Sequence, residues 1–199
     1  MLYENLSNPF SLKKQIVKYG APGTGKTYQA RQQTSLLFDI WKEEFASNSS
    51  LTHGSQIELV QFHPSFSYED FMEGLRPVLD GNGAAQLTLQ NGVFKEFCRN
   101  AGKWEIDVCS LGLERDWESI TIDELRPHRE KLSGAHWQYI FEISDSSKLV
   151  SDAVPPFFFI IDEVNRAELS RVFGELMYCL EYRGVKGSVK TQYANLNNE

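Results

Sequence analysis

The sequence predicts an α/β fold with a parallel central sheet, and three features carry that expectation. Residues 20–27, Gly20-Ala21-Pro22-Gly23-Thr24-Gly25-Lys26-Thr27, form a Gly-rich turn between a strand-like stretch, Gln15-Ile16-Val17-Lys18-Tyr19, and a helix-forming segment. Far along the chain, Phe157-Phe158-Phe159-Ile160-Ile161 is a continuous apolar run that ends abruptly in Asp162-Glu163. An unbroken run is the pattern of a parallel strand buried on both faces, and acids at its carboxyl end emerge where open α/β sheets bind ligands. Between these two features a helical pattern is interrupted by a hairpin signal and then resumes.

The turn fits the G-x-x-x-x-G-K-[ST] phosphate-binding pattern without mismatch, in the required order of strand, loop and helix. Its glycines let successive backbone N–H groups face inward at phosphates, where the start of a helix adds its partial positive charge. Lys26 supplies a point charge for the β- and γ-phosphates, and the Thr27 hydroxyl is a ligand for magnesium. Gly20, Ala21, Pro22, Gly23, Thr24, Gly25, Lys26, Thr27 and the following Tyr28 form the expected nucleotide-binding set. In the second half of the site, Asp162 is the expected Walker B carboxylate at the metal, and Glu163 is placed to orient or deprotonate an attacking water. Walker A and Walker B patterns in one chain of 199 residues predict a P-loop NTPase that takes GTP or ATP with magnesium.

The bulk composition, 41% hydrophobic and 24% charged, suits a domain that buries a substantial core. Cys98, Cys109 and Cys179 lack the spacing of a disulfide framework or zinc knuckle, and His53, His63, His128 and His136 are scattered without ligand spacing. A net charge of −7 is the wrong sign for a self-sufficient DNA-binding module. DNA contact is therefore expected from other domains or subunits. The start of the chain lacks a signal-peptide pattern, and no apolar run approaches a membrane span, so a cytoplasmic protein is expected.

In chain order, a helix is predicted over about 26–45 with Ala30, Leu37, Ile40, Trp41 and Phe45 on its apolar face. Ile57 to Phe62 reads as a second strand. Ser67 and Asp70 fit a capping box opening a helix whose Tyr68, Phe71, Met72 and Leu75 share one face. That helix breaks near Gly74 and Pro77. Val78-Leu79-Asp80 and Gln86 to Leu89 then flank Gly81 to Ala85 as a hairpin, and Val93 to Arg99 returns to helical spacing. After the acids, Asn165 and Glu168 are spaced as an N-cap and capping box, and Leu169, Val172, Phe173, Leu176 and Leu180 line one helical face.

A helix broken by a hairpin resembles the helix-2-insert group of AAA+ proteins. With GAPGTGKT, VQFHPSFSYEDFMEGLRPVL, NGVFKEFC and FFFIIDEVNRAELSRVFGELMYCLE in this order, the chain resembles the McrB-type motor subunits of McrBC-like, modification-dependent restriction systems. The resemblance covers roughly residues 15–100 and 156–183. It implies an AAA+ αβα core, a homo-oligomeric ring that is usually a hexamer, a McrC-like nuclease subunit as partner, and a preference for GTP over ATP. By the same resemblance Lys26 and Thr27 match the phosphate and magnesium positions, Asp162 the Walker B ligand, and Glu163 the catalytic acid. Asn165-Arg166 falls on the family's D-E-[IV]-N-R-A signature. Arg166 is a candidate for reaching a phosphate or a neighbouring subunit; the plain alternative is a solvated arginine at a helix start.

Two departures from the family pattern stand out. Residues 103–155, with Trp104, Trp117, Trp137 and a strand-like run over 136–143, are longer than the usual link and are expected to form an ordered insertion. The chain stops before any match to the sensor-1 strand, so a partial AAA+ domain, incomplete at the C-terminus, is expected over 1–199, with a Walker A half (15–102), the insertion (103–155) and a Walker B half (156–199). Two other readings stand beside the restriction motor. One is a MoxR-like AAA+ ATPase that remodels protein partners, against which the S-Y-E-D-F-x-x-G block argues; the other is a nucleotide-binding assembly module without turnover.

Overall fold

The computed structural model describes residues 15–45, 52–79, 81, 83–108, 124, 156–182 and 187–196. Of the insertion expected over 103–155, residues 103–108 continue the helix that starts at Val93 and residue 124 is described; the rest, with Trp117, Trp137 and the run over 136–143, lies outside the described residues. The chain divides into two compact units: residues up to 59 together with those ending at Asp162, and residues from Val60 together with those from Glu163 onward.

In the first unit, α1 (Lys26–Phe45) starts where the phosphate-loop pattern ends. Thr34, Leu37, Phe38 and Trp41 form its buried stripe, at i, i+3, i+4 and i+7. The expected face included Leu37 and Trp41 but missed Phe38, which is 1% exposed. Thr34 fits an apolar stripe because its hydroxyl donates back to the Ala30 and Arg31 carbonyls at 3.0 and 3.1 Å. A short helix, α2 (His53–Gln56), leads into β1 (Ile57–Gln61), which pairs with β4 (Phe158–Asp162). Gln56, fully buried, donates its side-chain amide to the Pro156 carbonyl at 3.1 Å.

Two strand expectations need correction here. Residues 15–20 join no β-ladder, and Val17 and Tyr19 are 79% and 94% exposed. A strand is stabilised by its neighbours, and among the described residues no strand pairs with this segment, so its β propensity goes unused. The apolar run that ends at Asp162 does form a strand, yet all five positions of β4 are half-buried rather than buried on both faces.

The second unit is organised by the aromatic block after β1. Ser67 caps α3 (Tyr68–Phe71) with the predicted reciprocal bonds: Asp70 N–H donates to the Ser67 hydroxyl at 3.4 Å and Ser67 N–H donates to the Asp70 carboxylate at 3.1 Å. The helix is shorter than predicted. Strand β2 (Glu73–Leu79) begins at once, carrying Leu75 to a 41% exposed position, and returns through β3 (Ala85–Asn91) with Leu75 opposite Leu89 and Leu79 opposite Ala85. The reason lies at the base of the hairpin. A Cβ on Gly92 would stand 2.4 Å from the Phe71 carbonyl carbon, so only glycine lets β3 close on α3, and the Gly92 N–H donates to the Met72 carbonyl at 2.6 Å. Glu73, fully buried, is paired with Lys95 of α4 (Val93–Val108) at 2.6 Å.

Phe62 and Phe71 are wholly buried. Phe71 stacks on Phe94 at 4.8 Å and meets Phe173 edge-on at 4.9 Å, while Phe62 stacks on Phe66 at 4.6 Å. The block SFSYEDF is thus the core of this unit, which explains its density of rings. Phe173 ends α5 (Leu169–Phe173), and α6 (Leu176–Glu181) follows. The single helix predicted through this stretch is broken at Gly174, with φ 50° and ψ −129°. That conformation is open to glycine and strained for other residues.

Candidate functional site

The loop 20–25 curls through positive φ at Gly23 (75°) and Gly25 (74°), a backbone path that side-chain-bearing residues rarely take. It feeds directly into α1, whose first turn closes with Gln29 N–H donating to the Gly25 carbonyl at 2.8 Å. Within the loop, the Thr24 hydroxyl donates to the Ala21 carbonyl at 2.9 Å. The Lys26 ammonium donates to the Gly20 and Ala21 carbonyls at 3.0 and 2.8 Å, so the cation is held at the mouth of the loop by groups that an anion can replace. Gly20, Ala21, Pro22, Gly23, Thr24 and Gly25 are all exposed, as an anion-accepting loop requires.

Thr27 and Asp162, 135 residues apart, meet directly: the Thr27 hydroxyl donates to Asp162 Oδ1 at 2.8 Å, in a part-buried setting. The first turn of α1 places one group and the carboxyl end of β4 the other. Two hard oxygen donors at this separation suit a small divalent cation that takes one or two protein ligands and completes its shell from water and phosphate. Among the described residues, no group of three or more His, Cys, Asp and Glu is placed to hold a metal.

Glu163, next in the chain, begins the second unit in the left-handed region, φ 52° and ψ 41°. Among the described residues it is the non-glycine residue with positive φ. Such a conformation costs on the order of 1–3 kcal/mol and persists where surrounding contacts impose it. A 3-10 turn, Val164–Arg166, follows, closed by the Arg166 N–H to the Glu163 carbonyl at 2.9 Å. The Arg166 guanidinium lies 3.3 Å from Glu163 Oε2, with both side chains partly exposed. Asn165 is not the expected N-cap. It lies inside the 3-10 turn, and Glu168 occupies the cap of α5 without a side-chain bond.

Tyr28 points away from the loop along the helix: it is 67% exposed and its hydroxyl accepts from the Gln32 side chain at 3.1 Å. The sequence reading missed an open cleft of about 460 Å3 beside the loop, lined by Val17, Lys18, Tyr19, Thr24, Lys26 and Gln29. The Lys18 ammonium there donates to the Gln33 side chain. Position was the available signal, since three of these residues immediately precede the loop.

No family model matches the chain. Over 198 residues, 98% of its length, it is 29% identical to the type IV methyl-directed restriction enzyme EcoKMcrB subunit of Escherichia coli. The chain spans 29% of that relative's length. The relationship is McrB-like, as the four motif blocks indicated, and the aligned span reaches beyond those blocks. It implies a P-loop NTPase fold, with which the mixed α/β structure and its parallel sheet agree. Among the described residues, no helix is long and apolar enough to cross a membrane.

Proposed function

We propose that this McrB-like chain is the nucleotide-binding and hydrolysing core of a restriction motor of the AAA+ helix-2-insert type. Its substrate is GTP or ATP, with GTP favoured by the family resemblance. The observation that carries the reading is the 2.8 Å contact between Thr27 and Asp162, which joins the two halves of the phosphate site. The hairpin of β2 and β3 between α3 and α4 supports the helix-2-insert assignment.

In this reading the loop N–H groups and Lys26 bind the β- and γ-phosphates, with Lys26 exchanging its loop carbonyls for phosphate oxygens. Thr27 and Asp162 would hold magnesium, whose role when bound is to neutralise charge on the phosphates. Glu163 accepts a proton from the water that attacks the γ-phosphorus as the bond to the bridging oxygen breaks. Arg166 holds the Glu163 carboxylate before nucleotide arrives and is available to a phosphate or neighbouring subunit afterwards. A homo-oligomeric ring, a McrC-like nuclease subunit, DNA contacted through other domains or subunits, and a cytoplasmic setting complete the proposal.

Titration with fluorescent GTP and ATP in magnesium tests it. Saturable binding, tighter for GTP and lost in Lys26→Ala, is the expected outcome. ATP preference would shift weight to other helix-2-insert ATPases. Equal binding by the wild type and Lys26→Ala would sink the phosphate-loop assignment.

A further inference from the structure

A part-buried polar node in the second unit lies outside the groups that meet nucleotide in the proposal above. Tyr68, 5% exposed, donates its hydroxyl to Glu175 Oε1 at 2.5 Å. The backbone N–H of Gln192 approaches both, donating to the Tyr68 hydroxyl at 3.2 Å and to the same Glu175 oxygen at 3.1 Å. Three segments therefore converge on one phenol and one carboxylate, with Glu175 and Gln192 107 and 124 residues from Tyr68 and 17 from each other. The tyrosine ring also packs on Gly174, where a Cβ would stand 3.2 Å from two ring carbons. Burial, then the hydrogen bond to Glu175, pushes the phenol above its ordinary range.

The position of this node matters more than its strength. Glu175 follows the break after α5, the helix that begins just beyond the 3-10 turn carrying Glu163 and Arg166. Along that stretch Ala167 and Val172 are buried and Phe173 packs on Phe71 and Phe62. The segment from Glu163 to Glu175 is thus anchored at Ala167, Val172 and Phe173 and tied by hydrogen bonds at its far end. A residue in the left-handed region requires such surrounding contacts.

We propose that Tyr68 is a positioning residue for Glu163: with Glu175 and the Gln192 backbone it fixes the far end of α5, and through that helix the turn on which Glu163 sits. Tyr68 touches no reacting group. Its hydroxyl acts through the register of α5, coupling the hairpin module and residues 187–196 to the turn that carries Glu163.

The inference rests on the hydrolytic reading, and its test keeps the two apart. In the whole chain with magnesium and GTP, Tyr68→Phe and Glu175→Ala are each expected to lower kcat on the order of 10- to 100-fold, as a displacement of about 1 Å does. Nucleotide affinity should stay within about twofold, since the phosphate loop is untouched. Glu175→Gln, which keeps an acceptor oxygen, should retain most of the turnover, and the double variant should be no worse than either single one. Amide exchange at Arg166, whose N–H is bonded to Glu163, gives a readout that needs no turnover. Both disrupting variants should exchange faster there, with β2 and β3 unchanged. If the wild type binds nucleotide but shows no turnover, the hydrolytic reading fails and exchange at Arg166 alone decides the positioning role. Should Tyr68→Phe fail to fold, the Glu175 pair carries the test. Unchanged exchange at Arg166, or uniform loosening of the unit with a parallel loss of affinity, overturns the proposal.

Discussion

Glu163→Gln is expected to reduce nucleotide turnover by about 10²- to 10⁴-fold, the usual contribution of a general base, while GTP affinity is retained. The amide keeps the size of the side chain and a hydrogen-bonding oxygen, so the turn and its Arg166 contact lose little beyond charge. What is lost is the ability to take a proton. The left-handed backbone at Glu163 supports this assignment: strain of this kind gathers where a side chain must be aimed, and the buried Ala167 and Val172 lie on the segment that follows it. Single-turnover kinetics beside a binding titration separates the two effects. Turnover within a few-fold of wild type would remove Glu163 from the chemistry and move the base elsewhere.

The second large effect concerns folding. Lys95→Met is expected to destabilise the second unit by about 3–5 kcal/mol, because it leaves the Glu73 carboxylate buried without its cation. Glu73 is 0% exposed and the lysine side chain 15%, so solvent does little to compensate for the lost charge. The pair fastens α4 to the first residue of β2, beside the Gly92 contact that closes the hairpin. Replacing both partners, as in Glu73→Leu with Lys95→Met, should recover much of the loss, since an apolar pair avoids the cost of desolvating two ions. Urea unfolding of the two variants beside the wild type measures this. A single variant as stable as wild type would mean that Glu73 is neutral or that the hairpin base relaxes open.

The elements legible in the sequence were those fixed by local chemistry. The bounds of α1 followed from the loop and its helical periodicity, the Ser67 and Asp70 capping box formed as its spacing required, and a hairpin formed where expected, with β2 ending at Leu79 and β3 starting at Ala85. The carboxyl end of β4 delivered Asp162 to Thr27, as an apolar run ending in acids implies. What was not legible depended on distant partners. Residues 15–19 have strand-like composition, but a ladder needs a neighbour, and composition does not say where that neighbour lies. Leu75 fits a helical face, yet closure of the hairpin at Gly92 claims it for a strand. Gly174 was hidden inside a periodic apolar stripe; the ring of Tyr68, far away in sequence, occupies the space its side chain would need. Asn165 resembled a cap because the following stripe looked continuous back to it, whereas the strained turn after Glu163 delays the helix to Leu169.

The contact between Thr27 and Asp162 is the central claim, and a double-mutant cycle on magnesium-dependent GTP binding tests it most directly. Thr27→Ala, Asp162→Ala and the double variant would each be titrated with fluorescent GTP across magnesium concentrations. If the two oxygens hold one ion, each single variant weakens the magnesium-dependent part of binding, and the second substitution adds little, a coupling on the order of 1 kcal/mol or more. Strictly additive effects, or magnesium dependence unchanged in both single variants, would contradict a shared site and with it the joining of the two halves of the nucleotide pocket.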